Sequence, residues 1–131
     1  MTEIKVNTRI TPMLTVKDGL GAVDFYRKGF DAKEIARYEE GDFFLAELAI
    51  DDAHFFVSME APENGNLSPE SVNGNTTIRI ELTVADPDGF AKKAIAAGAK
   101  EKFPVADQDY GWRQGRIVDP FGHHWVVGRP L

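Results

Sequence analysis

The sequence predicts an α+β fold built from two tandem βαβββ modules. Three observations carry this. Strand-type alternation restarts after residue 75, a helix-start signal follows the first strand of each half, and a set of landmarks recurs at near-constant offset. The 131 residues suit one domain over 1–131, with module one at about 9–59, a linker at 60–75 and module two at about 76–129.

In module one, residues 9–16 (RITPMLTV) alternate as a strand, and Pro12 marks an edge or irregularity. Asp18 caps a helix over roughly 20–29, with Ala22, Phe25 and Tyr26 on its apolar face and Gly29 near its end. Strands follow near 32–39, 43–50 and 53–59, separated by Glu40-Gly41-Asp42 and Asp51-Asp52. Residues 60–75 are rich in Pro, Gly, Asn and Ser and read as a little-structured linker. In module two, 76–84 (TTIRIELTV) alternate strongly. Asp86-Pro87-Asp88 starts a helix reaching about Ala97, and Gly98 stops it. Three more strands follow near 100–107, 112–118 and 123–128.

The two halves share more than a pattern. Leu14-Thr15-Val16-Lys17-Asp18 matches Leu82-Thr83-Val84-Ala85-Asp86 at an offset of 68, and Ala32-Lys33-Glu34 matches Ala99-Lys100-Glu101 at 67. Asp51 matches Asp119 at 68, and His54-Phe55-Phe56-Val57 matches His123-His124-Trp125-Val126 at 69, which pairs His54 with His123. Composition narrows the function. With no cysteine there is no disulfide framework, thiolate site or cysteine nucleophile. A net charge of −6 speaks against a nucleic-acid footprint. The N-terminal residues have no apolar signal region and no stretch approaches membrane-spanning length, so no membrane partner and a cytoplasmic location are expected.

The duplication ends on Gly115-Arg116-Ile117-Val118-Asp119-Pro120-Phe121-Gly122-His123-His124-Trp125. The D-P-F-G turn between two strands, with the duplicated module, resembles the glyoxalase / bleomycin-resistance / extradiol-dioxygenase superfamily, the vicinal oxygen chelate proteins, over about residues 9–129. The resemblance implies that the two modules form a curved mixed sheet around a concave cavity lined by both, that modules pair in a homodimer, and, in the family's enzymes, that a divalent metal acts as Lewis acid. The implied ligand positions fall at Thr11, Arg79, Val126 and somewhere within Phe56 to Ser58. None is a good ligand, and the permanently charged Arg79 would repel a cation. No metal and no cofactor is therefore expected. A bulge at Glu60 is the route by which a metal site could be rebuilt.

Alternation then gives candidates for ligand contact. Ile78, Ile80, Leu82 and Val84 share an apolar face, so Arg79 and Glu81 point to the concave side, as do Thr11 and Met13 on the first strand. His124 shares parity with Val126 and faces the cavity, whereas His54 and His123 read as solvent-side strand residues. In the further candidate string Tyr110-Gly111-Trp112-Arg113-Gln114-Gly115-Arg116, residues 112, 114 and 116 share one face and 111, 113 and 115 the other. Either face sets a guanidinium near an aromatic ring, which suits a planar, anionic or carbonyl-bearing small molecule. Three readings follow: a metal-independent small-molecule-binding protein; a lyase, isomerase or dioxygenase with a rearranged metal site or none, using Glu47, Glu60, Glu81 and His124 as acid–base groups; or an interaction domain with a filled cavity.

Overall fold

The computed structural model describes residues 3–131. In chain order the elements are β1 (Met13–Val16), α1 (Gly19–Phe30), β2 (Lys33–Glu40), β3 (Phe43–Ile50) and β4 (Ala53–Met59), then β5 (Arg79–Thr83), α2 (Pro87–Ala97), β6 (Lys100–Asp107), β7 (Trp112–Val118) and β8 (His124–Pro130). They form two four-stranded mixed sheets, ordered β1-β4-β3-β2 and β5-β8-β7-β6. The pairs β1–β4 and β5–β8 are parallel and the others antiparallel. The fold is the tandem βαβββ α+β architecture, and its two sheets are not closed on each other.

Two strands are shorter than the alternation predicts, for local reasons. Pro12 has no N–H for a ladder, so β1 begins at Met13, although the Pro12 carbonyl still accepts from Phe56 N at 2.8 Å. Before β5, the Thr76 hydroxyl donates to Ile78 O at 3.1 Å, a turn that delays the strand to Arg79. The helices start as predicted. Asp18 Oδ1 accepts from Gly21 N at 2.9 Å and Asp86 Oδ1 from Gly89 N at 3.0 Å. The end of α1 differs: Gly29 is inside the helix, and the left-handed terminator is Asp31 at φ 54°. Gly29 is needed for packing instead, since a Cβ there would lie 3.1 Å from Ala97 Cβ of α2.

The linker carries its own structure. Ala61 bridges Asn66, and Pro62–Asn64 and Pro69–Val72 form 3-10 turns. The Glu60 carboxylate fastens it, accepting from Ser68 N at 2.7 Å and Ser68 Oγ at 2.9 Å, and Ser68 is fully buried. The residues that read as loop-formers are the ones that cap and turn such short helices.

The helices cover one face of each sheet, and one continuous apolar core runs through both modules. Phe30 and Phe55 of module one meet Trp125 of module two with ring centroids 4.9 and 5.4 Å apart. Aromatic pairs of this kind add to plain burial. Phe44 and Phe55 are buried in this core, while Phe43 and Phe56 lie on the opposite face.

The ladders correct one feature of the repeat. Met13 pairs Phe56 as Glu81 pairs Val126, and Leu14 pairs Val57 as Leu82 pairs Val127. The last strands are therefore related by an offset of 70, and His54 corresponds to His124, not His123. The tight Asp51-Asp52 turn has become the longer Asp119–His123 turn, and the extra residues shift the strand. The same register puts Phe55 opposite Trp125 in the repeat, both buried.

Candidate functional site

Strand parity divides every strand between a covered and an open face. In β7, Gly115 and Ile117 are buried; in β8, Trp125 and Val127; in β5, Leu82. The other parity forms the open, concave face of module two. One row runs Glu81–Val126–Arg116–Phe103 across β5, β8, β7 and β6, and its neighbours bring Arg79 beside His124 and Gln114 beside Gly128. A pocket of about 360 Å³ lies on this face, lined by Phe103, Pro104, Tyr110, Gln114, Arg116 and Val126 among others. That size is in the range of small-molecule sites. The Tyr110 hydroxyl donates to Gln114 Oε1 at its margin.

The sequence-predicted contact residues do not all meet here. Gln114 lines this pocket, and Arg79 and His124 neighbour each other on the same face. Trp112 shares its parity but pairs with Pro130 at the end of the strand. Thr11 and Glu81 line a second cavity of about 350 Å³ in the crease between the modules, together with His54, Phe55 and Trp125. Met13 borders a third, with Leu67, Ile78 and His123. Arg113 is turned to the helix side, where it is held by Asp88 through two bonds of 2.7 Å and by Asp107 at 2.9 Å. Asp88 holds the guanidinium charged, and Arg113 in turn holds the Asp88 carboxyl below its usual range. The larger furrow beside α1 and β2, about 740 Å³, is a charged surface in which Lys28 pairs with Asp24 and Lys93 with Asp31.

Arg116 closes the aromatic and basic string that the sequence singled out, and parity groups it with Trp112 and Gln114. Its guanidinium lies 5.3 Å from the centre of the Phe103 ring, and Lys102 Nζ lies 5.9 Å from the same ring. Arg116 Nε and His124 Nδ1 are buried without hydrogen-bond partners. Burial, followed by the Arg116 and Lys102 charges, pushes the His124 imidazole below its ordinary pKa.

Sequence reasoning missed Asp119. This carboxylate is 3% exposed. It accepts from Tyr26 Oη at 2.5 Å, Trp125 Nε1 at 2.9 Å, Phe121 N at 2.9 Å and His123 N at 3.0 Å. Burial and then the Asp119 charge raise the Tyr26 pKa well above its usual value. Because Tyr26 sits on α1, this network ties module one to module two. His123 adds a second tie, its Nε2 lying 2.8 Å from Thr15 O. His54 is exposed and bonded to Glu47 at 2.7 Å, whereas His123 is half-buried.

The metal positions implied by the resemblance can be tested against the ladders. The register resolves the module-one position to Phe56, partner of Met13 as Val126 is of Glu81. Thr, Phe, Arg and Val offer one neutral hydroxyl, two hydrocarbon groups and a fixed cation, a donor set that does not fit a divalent ion. Glu60 is engaged by the linker, and the Ser71 hydroxyl and the Ser68 amide hold its carboxyl below the usual range. Among the described residues no group of three or more His, Cys, Asp or Glu side chains is placed to hold a metal.

A duplicated βαβββ chain with two open four-stranded sheets defines the class: small α+β proteins built from two tandem modules. The chain belongs to the Glyoxalase/Bleomycin resistance protein/Dioxygenase superfamily, whose family model matches residues 9–127. It is 37% identical over 133 aligned positions to an uncharacterised protein of Mycobacterium tuberculosis, covering 98% of this chain and 78% of that one. A Mycobacterium bovis relative is likewise 37% identical, with 87% of its length covered. Among solved structures, TioX from Micromonospora sp. ML1 superposes with a TM-score of 0.71 at 22% identity, covering 95% of this chain and all of TioX. The fosfomycin resistance protein FosX of Listeria monocytogenes, solved with Mn(II) and sulfate, superposes at 0.72 with 16% identity over 97% and 95% of the chains. These two likenesses are of fold.

Proposed function

We propose that this protein is a metal-independent small-molecule-binding protein, and that the concave face of module two is its binding surface. The observation that supports this most is a pocket of about 360 Å³ lined by Arg116, whose Nε lacks a partner, with the unpartnered His124 beyond the lining on the same face, on a sheet whose family ligand positions carry Arg79 and Val126. Open sheets of this kind are covered by a second copy in the reading we favour: a homodimer in which modules of the two chains face each other. The location we propose is the cytoplasm; among the described residues no helix is long and apolar enough to cross a membrane.

A thermal-shift panel of small organic acids, amides and alcohols tests the binding role, because a ligand of the native state must raise the transition temperature. Stabilisation by at least one compound class is expected; none across the panel overturns the reading. Metal analysis of protein purified without chelator is expected to find substoichiometric metal, and stoichiometric manganese, iron, nickel or zinc overturns metal independence. Sedimentation is expected to give a dimer at micromolar concentration, and a monomer removes the homodimer. A second reading, an enzyme of the lyase, isomerase or dioxygenase type, is favoured by the row that sets Glu81 beside Val126, with His124 one row away as a second acid–base group. FosX shows that a relative in fold has been solved with Mn(II). Turnover by Glu81→Gln protein equal to wild type would count against Glu81 in that role.

A further inference from the structure

The two modules can be compared position by position, and one pair of equivalent sites is reversed in charge. In module one, Phe56 on β4 pairs with Glu47 on β3; in module two, Val126 on β8 pairs with Arg116 on β7. Glu47 and Arg116 are therefore equivalent, as are His54 and His124. In module one the carboxylate and the imidazole satisfy each other, with Glu47 Oε2 and His54 Nδ1 2.7 Å apart. In module two a guanidinium stands where the carboxylate should be, and both His124 Nδ1 and Arg116 Nε are buried without partners. Buried polar groups are nearly always paired, and a half-buried cation without an anion is costly.

The surroundings have the matching charge. Facing this corner are Arg79 from β5, Arg116 from β7 and Lys102 from β6, against Glu81 of β5, which lies two strands or roughly 10 Å of backbone from Arg116. Among the described residues none of these three cations has a carboxylate within ion-pair distance, in a chain with 21 acidic and 15 basic residues. The rest of the lining combines apolar Phe103, Pro104, Ala106 and Val126 with the neutral polar side chains of Gln108, Tyr110 and Gln114, and holds no carboxylate.

Resting on the binding role above, we propose that the ligand carries an oxyanion, a carboxylate or phosphate-type group, on a small apolar or planar body. Its oxygens bond to Arg116 and His124 as the Glu47 carboxylate bonds to His54. The body lies on Phe103 and Val126, and Arg79 and Lys102 supply the field.

Calorimetry with benzoate, its neutral isostere benzamide, and inorganic phosphate tests this on the full chain. Benzoate is expected to bind at least about tenfold more tightly than benzamide, the value of one good charge-assisted contact. Arg116→Gln is expected to abolish that preference, and Arg116→Glu to abolish benzoate and phosphate binding while restoring a module-one-like pair with His124. Arg113→Gln, which removes a guanidinium on the opposite face, is expected to keep the preference. Equal affinity for benzoate and benzamide, or a preference that survives Arg116→Gln, overturns the oxyanion site while leaving a neutral-ligand binding role intact. Failure of both benzoate and phosphate to bind at about 10 mM also overturns it, and a positive thermal-shift panel then still upholds binding of another class.

Discussion

Module one and module two have the same strand order, the same parallel first pair and the same aspartate cap at each helix start, yet their concave faces have diverged. Module one presents Met13, Thr15, Leu45, Phe56 and Ser58, with Glu47 hydrogen-bonded to His54. Module two presents Arg79, Glu81, Gln114, Arg116 and His124, with two buried polar atoms unpaired. The covered faces did the opposite. They merged into one core, in which Phe55 and its equivalent Trp125 touch. Duplication preserved what the backbone needs and released the open face to specialise.

The turns before the last strands differ most in energy. Asp51 is exposed at φ 51° in a tight turn, whereas Asp119 is buried and accepts four hydrogen bonds. Asp119→Ala leaves Tyr26 Oη, Trp125 Nε1 and two backbone amides without their acceptor. A loss of about 3–5 kcal/mol is expected from urea unfolding. Asp51→Asn, which tolerates the left-handed backbone, should stay within about 0.5 kcal/mol. Equal effects would mean that the buried network is not what joins the modules. Tyr26→Phe is the next step down. It keeps the ring packing and removes one donor to a buried carboxylate, for an expected loss of about 1.5–3 kcal/mol in the same assay.

The histidines distinguish the open faces. His124 has a folded-state pKa below its unfolded value, so between those two values the unfolded chain binds more protons. Stability should therefore fall as pH drops below about 6.5, levelling once pH passes the depressed folded value. His124→Gln should remove that part of the slope, as read from urea midpoints across pH 5 to 8. A slope unchanged by the substitution would show that neither burial nor the Arg116 and Lys102 charges lower the His124 pKa.

Much of this architecture was legible because it is written locally. The Asp18 and Asp86 caps, the alternation of β5 and the glycine after α2 each specify backbone within a few residues. The register of β8 was not, because His123-His124 offers two alignments and only the ladder to β5 chooses between them. Asp119 was hidden for a related reason: as an Asp before Pro-Phe-Gly it reads as a turn, and its Tyr26 partner is 93 residues away. For Arg113 and Arg116, alternation separated the faces but could not say which was covered by α2.

Arg113 gives the smallest predicted effect and the sharpest test of that assignment. Its guanidinium joins the first turn of α2, through Asp88, to the end of β6, through Asp107, at the edge of the helix layer. The groups are solvent-screened, so Arg113→Gln should lower the melting temperature by only about 1–2 °C. Most of that difference should vanish near 1 M salt, where the Debye length is about 3 Å. Ligand affinity should stay within about a factor of two of wild type, since no atom of Arg113 lies on the concave side. Arg116→Gln should give the reverse pattern, a large change in affinity for an anionic ligand and little change in melting temperature. If the two arginines exchange these phenotypes, the assignment of faces in module two is inverted, and the comparison with module one fails with it.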